Sequence, residues 1–362
     1  MGRTRTKKTP ASTPSVTALL EKARSLIVQC DYDLALRFAK RILQSEPTHV
    51  EAREILGVSL LETGDVEGAK QAFTLLLQSP VPPPPPSAHL YLAQLTDDDP
   101  RLALQHFGAA VDLLTQKLKG KDRETVENAR NDEAEIKNNI VRALIGQVEI
   151  WMEPSYDLCF EPEAESRCEE LLKLALQIDA GNSEALQSLA SVRLSQQRPE
   201  DAKLCLQQAW SAWKDLDLDD PKMPSISTRL SIVKLFLELS LYSPALLVLQ
   251  GIMAADDQDV EAWYLEGWCF YIMSEQAQEN GGKLDDLTWQ ELAQDGRDCL
   301  ETCRVLHTMQ EHPDKPLLAH AEELVSKLEA RGIIPSPAEE EEGGEWEDEE
   351  ESEDEDGDVE MQ

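Results

Sequence analysis

The stretch from Tyr156 to Glu169, YDLCFEPEAESRCE, combines two cysteines nine positions apart with five carboxylates. Thiolates and carboxylates can bind a metal ion or serve in acid–base catalysis. A metal site would need more soft ligands at recognised spacings than this stretch provides. The alternative is an insertion in a scaffold, and the choice depends on the elements that flank it.

A second group of chemical interest is Cys299, Cys303 and His307, spaced i, i+4, i+8 on one predicted helix. At a rise of about 1.5 Å per residue the outer two lie about 12 Å apart, too far to share one ion with ligand bonds of about 2 Å. Two of the three with remote ligands could still bind metal. A buried packing stripe is the favoured interpretation.

Motifs of common enzymes are absent from the sequence. It contains no G-x-x-x-x-G-K-[ST], G-x-G-x-x-G, H-E-x-x-H or G-x-S-x-G. Among 70 acidic residues no catalytic pair can be chosen. The sequence therefore predicts no catalytic residue, no cofactor and no metal site, and the protein is not expected to be an enzyme.

The elements that carry these residues repeat every 34 positions. The segment EAREILGVSLLETGDVEGAKQAFTLLL places Gly57, Ala69 and Phe73 at the spacing of a helix-turn-helix unit that begins at Val50, and an earlier unit begins at Val16. Small residues recur because two helices cross closely where Ala or Gly lies. This pattern resembles the tetratricopeptide repeat.

Five further units are predicted from the small residues of their second helices, followed by a closing helix, PLLAHAEELVSKLEA, after position 314. Thr48 and Glu51 are expected to form a capping box before the second unit. The predicted starts of the seven first helices are Val16, Val50, the end of the Pro82 to Pro86 run, the vicinity of Ile136, Ser183, Ile226 and Val260.

The repeat count places the cysteine-containing stretch. Cys168 falls in the small-residue slot of a second helix, so YDLCFEPEAE is predicted to be an insertion between paired helices, bracketed by Pro154 and Pro162. Cys168 is then a core residue. The same count predicts a 20-residue insertion containing Asn280-Gly281-Gly282 before the last second helix.

The predicted fold is all-α, a right-handed superhelical tetratricopeptide-repeat solenoid of seven helix pairs plus a capping helix, over residues 15–333. Residues 1–14 are predicted to be a basic disordered terminus, and 334–362 an acidic disordered tail. A hinge at Pro82 to Pro86 is the alternative, since consecutive prolines favour an extended spacer. A tight turn is favoured because the 34-residue count continues through it.

Charge narrows the choice of partners. The net charge is −36, and residues 339–362 hold 16 carboxylates and no base. Such a protein should attract basic partners and repel nucleic acid and anionic membranes. No apolar segment suggests a membrane span, and seven cysteines without a framework favour a reducing compartment.

A repeat solenoid binds with the concave surface of its first helices. Carboxylates on that surface, together with a late aromatic cluster, suit an extended basic peptide and have the wrong sign for an acidic one. For any single glutamate, an ordinary solvated helix face is an equal alternative. The residues predicted to face inward are Glu51, Glu54, Val58, Leu61, Glu62, Glu184, Gln187, Leu230, Lys234, Glu238, Glu261, Tyr264, Trp268 and Tyr271.

Three segments together, EIWMEPSYDLCFEPEAESRCEELL, DVEAWYLEGWCFY and EEEEGGEWEDEEESEDEDGD, resemble the fungal assembly chaperones of large-subunit ribosomal protein four. The resemblance implies capture of that newly made basic protein, shielding of its long internal loop, and release at the pre-60S particle in the nucleus. It also implies a monomer in a 1:1 complex that occurs in cytoplasm and nucleus. A general scaffold for several partners is the alternative.

The two charged termini allow two interpretations each. The acidic tail is either a solubilising segment or a polyanion mimic of RNA that covers basic client surfaces. The basic start, MGRTRTKK, is either a nuclear import signal or a solvated terminus.

Overall fold

The architecture is helical throughout. The computed structural model describes residues 14–78, 83–120, 128–284 and 286–336, and these form fifteen α-helices and one two-stranded hairpin. In chain order the helices make seven pairs and a closing helix, which confirms the all-α repeat fold. The predicted disorder of residues 1–13 and 337–362 lies outside the described residues.

The chain forms two compact units, Met1–Val248 and Leu249–Gln362. The division falls within one helix, Tyr242–Met253, and not at the proline run, so the hinge weighed for that run is not a unit boundary.

Unit 1 contains the first eleven helices and part of the twelfth. Their bounds are α1 Val16–Val28, α2 Tyr32–Ser45, α3 Val50–Glu62, α4 Val66–Leu77, α5 Pro86–Gln94, α6 Pro100–Gly120, α7 Asn128–Met152, α8 Ala164–Ile178, α9 Ser183–Ser195, α10 Pro199–Ser211, α11 Ile226–Glu238 and α12 Tyr242–Met253.

Unit 2 contains the end of α12 and the closing elements. Their bounds are α13 Val260–Glu279, β1 Lys283–Leu284, β2 Leu287–Thr288, α14 Trp289–Met309 and α15 Lys315–Ala330. Helices begin at the predicted residues Val16, Val50, Ser183, Ile226 and Val260, and the intervals from Val16 to Val50 and from Ile226 to Val260 are 34 residues each.

Short polar side chains begin most of these helices by accepting a backbone N–H bond. Asp31, Asn182 and Asp259 do so for α2, α9 and α13. The predicted capping box at Thr48 is wrong, because His49 is the N-cap of α3 and its Nδ1 accepts from the Ala52 N–H at 3.2 Å. The helix begins one residue later than that motif implied.

Small residues bring the paired helices close, as the sequence predicts. A Cβ on Gly57 of α3 would lie 2.7 Å from the Phe73 ring of α4, so only glycine fits there. Ala69 is fully buried at the same crossing, and Cys168 of α8 is 3% exposed. The prediction of Cys168 as a core residue is confirmed.

The first part of the cysteine-containing stretch is an insertion between α7 and α8, as predicted, although α8 begins at Ala164 and so includes the last two residues of the predicted insertion. The insertion contains two short 3₁₀ turns, Pro154–Tyr156 and Leu158–Phe160, anchored by the buried side chain of Leu158. Asp157 between them has a left-handed backbone, φ 59°. The preceding helix is longer than expected: α7 begins at Asn128, not near Ile136.

The second predicted insertion is largely helical, which corrects the sequence interpretation. Helix α13 continues to Glu279 and α14 starts at Trp289, so only a short β-hairpin joins them. The extra turns persist because Ala277 and Ala293 are fully buried. The capping box that does occur lies here, between Thr288 and Glu291.

The helix predicted to close the fold is present as α15, with Asp314 as its N-cap. Its buried residues Leu317, Ala321, Leu324 and Leu328 form one stripe, and its other face is polar. After α15, the exposed residues Ile334 and Ser336 form hydrogen bonds with α14.

Candidate functional site

The first helices of unit 1 carry a set of carboxylates that we call the acidic face. It lies on α3, α7 and α9, with polar groups of α5 between them. Its members are Glu51, Glu54, Glu62, Glu149 and Glu184.

The carboxylates of the acidic face differ in the partners that they contact. Glu51 forms a two-point ion pair with Arg24 of α1, so its charge is already balanced. Glu54 accepts a hydrogen bond from the Ser87 hydroxyl of α5. No ion pair of Glu62 or Glu149 occurs within the described part of the chain.

Partial burial and neighbouring carboxylates raise the pKa values of ionisable groups on the acidic face. Burial raises the pKa of the Glu54 carboxyl and Glu51 adds to the shift, while the Ser87 hydrogen bond and the charge of Lys117 oppose it. Burial also raises the pKa of the Tyr91 hydroxyl, with Glu62 and Glu54 contributing. A further cation placed here would offset the desolvation cost by attraction and reduce the repulsion among the carboxylates.

A cavity of about 630 Å³ opens on the same face, between α5, α7 and α9. Glu149 and Glu184 line it; Glu149 is exposed to solvent, but partial desolvation, followed by repulsion from Glu184, raises the pKa of its carboxyl. Arg142 also lines the cavity and lies 4.0 Å from Glu184, between Nε and Oε2. The cavity is therefore large enough for a long side chain, and one of its carboxylates, Glu149, has no ion pair among the described residues.

The cavity wall depends on a glycine. A Cβ on Gly146 of α7 would lie 2.7 Å from the Phe107 ring of α6. Phe107 and Tyr91 supply apolar surface beside the carboxylates. Apolar walls with an acidic rim suit the methylene stem and charged head of lysine or arginine.

Unit 2 carries the aromatic cluster, defined as Tyr264 and Trp268 of α13 with His320 of α15. The Tyr264 and Trp268 rings stack with centroids 5.9 Å apart, and the His320 ring meets Trp268 edge-on at 5.7 Å. Burial raises the pKa of the Tyr264 hydroxyl to about 12, so the group keeps its proton, and it forms a hydrogen bond with His320 Nδ1 at 2.7 Å. Trp268 remains half-buried and offers apolar surface.

The predicted Cys299, Cys303 and His307 stripe lies on α14 as expected. Cys299 Sγ donates to the Glu266 carboxylate at 3.4 Å, and His307 Nε2 lies 2.9 Å from the Asp314 carbonyl oxygen. Cys303 is fully buried. Each side chain therefore has its own packing or hydrogen-bond environment. Across the described ranges, no cluster of three or more His, Cys, Asp or Glu is placed to hold one metal ion.

The other residues of the predicted inward face differ in their exposure. On α3, Val58 and Leu61 are half-buried against the Phe73 cluster, and Glu62 is exposed. Gln187 and Glu261 are half-buried, while Lys234 and Glu238 are exposed.

Two predicted contact residues are instead core residues. Leu230 is 5% exposed and Tyr271 is 9% exposed, which corrects their assignment to an open client surface. Tyr271 is covered by the Arg331 guanidinium, 5.8 Å from its ring centroid, and Arg331 also pairs with Glu275. Both residues lie three or four positions from other predicted site residues, so helical periodicity placed them on the same face. Periodicity alone does not show which side chains on that face a neighbouring helix covers.

Three residues of the site, Glu149, Tyr91 and His320, were not predicted from the sequence. Glu149 lies three residues after Gly146 on α7, and extending the first-helix register along that helix would have found it. Tyr91 could be predicted as a site residue only if the bounds of the short helix α5 were known. His320 gave no signal, because only packing of α15 brings it to Tyr264.

No helix in the described ranges combines the length and the apolar character that crossing a membrane requires.

Comparison with known proteins shows consistent similarities. A tetratricopeptide-repeat family model matches residues 20–83. A "probable assembly chaperone of rpl4" from Schizosaccharomyces pombe is 33% identical over 337 residues, 91% of this chain and 95% of that protein. Another so named, from Emericella nidulans, is 30% identical over 86% of this chain and 80% of its own length.

Solved structures agree with these sequence matches. "Assembly Chaperone of RpL4 (Acl4) (Residues 1-338)" superposes with a TM-score of 0.65 at 27% identity, covering 74% of this chain and 100% of that one. A tetratricopeptide repeat protein from Parabacteroides merdae gives a TM-score of 0.52 at 11% identity over 86% of this chain and 98% of that one, which shows the fold alone.

Proposed function

Because the chain belongs to the family of assembly chaperones of rpl4, we propose that it is a dedicated chaperone of newly made large-subunit ribosomal protein four. The observation that carries the proposal is the acidic face with its cavity of about 630 Å³ and the uncompensated carboxylate of Glu149. A basic, extended client segment supplies the countercharge that this face lacks.

Binding follows from this chemistry in two parts. Lysine and arginine of the client's basic internal loop neutralise Glu54, Glu62 and Glu149, with a long side chain entering the cavity. In unit 2 the client lies against the half-buried face of Trp268, where apolar stems and cation–π contact contribute about 1–2 kcal/mol. Covering these client charges prevents aggregation and premature contact with RNA until incorporation into the pre-60S particle.

The remaining features of the proposal follow from the same face. The protein acts without catalysis or cofactor, as a monomer in a 1:1 complex, and its net charge of −36 disfavours direct nucleic-acid and membrane binding. It works in the cytoplasm and the nucleus. Fluorescent tagging with and without residues 1–8 tests this location; loss of nuclear signal on deletion would identify those residues as the import signal.

Charge reversal tests the proposal directly. A peptide of the client's internal loop is titrated against the wild type and a Glu62→Lys, Glu149→Lys double variant at two salt concentrations. Wild-type affinity should fall as salt rises past physiological strength, where screening acts over about 8 Å. The variant should associate more slowly and show a smaller salt slope.

The matched control is Glu67→Lys with Glu165→Lys, which changes net charge equally on exposed positions of the second helices α4 and α8. It should bind almost as the wild type does. Equal loss in both double variants would mean that only net charge matters, and salt-independent binding would reject the acidic face as the client site. Purification from cells separates the scaffold alternative: one stoichiometric basic ribosomal protein supports the chaperone, and many unrelated partners support the scaffold.

The acidic tail stays a separate prediction. Deletion of residues 339–362 should weaken client binding at low salt or increase client aggregation if the tail mimics RNA. Unchanged binding and solubility would favour a solubilising role.

A further inference from the structure

A hydrogen-bonded contact fastens the chain to α14 just before the acidic tail. Gly332, with φ 84°, reverses the chain after α15, and the Ile333 N–H donates to the Leu328 carbonyl at 3.1 Å. Ile333 then packs against the core of unit 2. The reversal directs the following residues, which we call the docking segment, residues 334–336, back along α14.

Ser336 makes the last contacts of this segment. Its N–H donates to Asp298 Oδ1 at 2.8 Å, and its hydroxyl donates to Asp298 Oδ2 at 2.6 Å. Gln294 Nε2 donates to the Ile334 carbonyl at 2.9 Å and lies 3.1 Å from the Ser336 hydroxyl. Both side chains of α14 thus hold a single exposed serine.

We infer that Ser336 is a phosphorylation site for a proline-directed kinase and that its modification releases the docking segment from α14. Ser336 lies between Pro335 and Pro337 in the sequence, and a residue before proline is biased toward extended backbone. An exposed serine followed by proline fits the substrate groove of such a kinase. The kinase acts on the fraction of molecules in which the segment has left α14.

The reaction balances with ATP as the co-substrate. The Ser336 Oγ forms a bond to the γ-phosphorus, the bond from that phosphorus to the β,γ-bridging oxygen breaks, and ADP leaves. The hydroxyl proton passes to the catalytic carboxylate of the kinase. The product has lost the O–H that donated to Asp298 and carries a charge of about −1.5 to −2 in its place.

The surface beneath Ser336 is acidic and would repel this phosphate. Burial, Asp298 and Glu291 together raise the pKa of the Asp295 carboxyl, which shows that negative groups crowd this face of α14. Arg331, the base nearest to Ser336 in sequence, is paired with Glu275, and Arg297, next to Asp298, is 3% exposed and already paired with Glu301 and Glu329. Phosphorylation therefore replaces a hydrogen-bond donor to Asp298 with a group of the same negative charge. Once the docking segment is released, Ile333 is the last described residue of the chain that contacts the rest of unit 2.

A second serine followed by proline provides an internal control. Ser243 is also followed by proline, Pro244, but both lie inside helix α12. A helical serine does not present the extended backbone that the kinase requires. The purified full chain is incubated with a proline-directed kinase and ATP, and occupancy of each serine is followed by mass spectrometry.

We expect Ser336 to be modified at least about tenfold faster than Ser243, and Pro337→Ala to remove most of that difference. Asp298→Asn, which weakens the contact without changing its shape, should speed modification of Ser336 several-fold. Hydrogen exchange at the Ser336 amide should accelerate about tenfold on phosphorylation, since a charge-assisted bond is lost. Equal rates at the two serines would overturn the site, and unchanged or slower exchange after phosphorylation would overturn the release.

Discussion

The acidic face of unit 1 and the aromatic cluster of unit 2 are built on equivalent first helices but satisfy their polar groups differently. On the acidic face, Glu62 and Glu149 have no ion pair within the described residues, and the pKa of Glu149 is raised by partial desolvation. In the aromatic cluster, the Tyr264 hydroxyl is bonded to His320. The first is incomplete without a cation, whereas the second is complete and offers mainly apolar surface.

This difference separates two contributions to client binding. Exposed charge governs encounter rate and salt dependence, while buried apolar contact governs residence time. Unit 1 should therefore determine how fast a basic client is captured. Unit 2 should determine how long it stays bound.

The largest effect is expected where α13 meets α14. A Cβ on Gly267 would lie 2.7 Å from Leu300 Cγ and 3.1 Å from the Gly296 carbonyl oxygen. Gly267→Ala should lower the free energy of unfolding by about 1–3 kcal/mol, because the backbones cannot separate without loss of packing. The control, Gly108→Ala on α6, meets nothing within 4 Å and should gain about 0.5–1 kcal/mol. Urea unfolding followed by circular dichroism measures both; a stabilised Gly267→Ala would contradict the close contact.

The next effect concerns residence time. Trp268→Ala should speed client dissociation about 5- to 30-fold, equivalent to about 1–2 kcal/mol, with little change in association rate. The control is Trp210→Ala, because Trp210 is similarly half-buried but lies on the second helix α10 and packs edge-on against Phe236. Stopped-flow kinetics with the client peptide distinguishes them. Equal acceleration by both variants would assign the effect to general destabilisation.

A smaller effect is expected from the hydrogen bond inside the aromatic cluster. Tyr264→Phe keeps the ring stack with Trp268 and removes the hydroxyl that is hydrogen-bonded to His320 Nδ1, so unfolding should become easier by about 1 kcal/mol. Thermal unfolding measures the change. His320→Ala combined with Tyr264→Phe should cost less than the sum of the single changes; additive losses would show that the bond contributes nothing.

The smallest effect on stability is expected from Glu149, and it tests most directly how the acidic face differs from the aromatic cluster. Glu149 is exposed to solvent, but partial desolvation and repulsion from Glu184 raise its folded-state pKa, so its ionised form costs a little stability above that pKa, and the cost disappears as pH falls below the unfolded pKa. Glu149→Gln should therefore stabilise slightly at neutral pH, by less than about 1 kcal/mol, lose that advantage in acid, and bind the client more weakly.

Glu266 provides the matched control, because its pKa is also raised by burial. It is 7% exposed and faces Cys299 rather than the open cavity. Glu266→Gln should leave client affinity unchanged. If both variants lose affinity equally, the open cavity is not what distinguishes the acidic face.

Particular residues show how far the sequence predicts this molecule. Gly57, Ala69 and Phe73 defined the repeat unit, and α3, α9, α11 and α13 start at the residues predicted from the small-residue pattern of these units. Leu230 and Tyr271 were assigned to the wrong surface, because helical period gives a direction but not the depth of the packing around it. The expected loop after α13 became helix, because its small residues could be buried against α14.

The sequence by itself determined the repeat, the element order and the sign of the charge, since all three depend on local spacing and composition. Only the tertiary structure decided which carboxylates have partners: Glu51 is paired with Arg24, 27 positions away, while Glu149 faces an open cavity. It also brought His320 to Tyr264 across 56 positions. Such contacts depend on how successive helices stack, and stacking sums many weak, nonlocal packing interactions that no short stretch of sequence encodes.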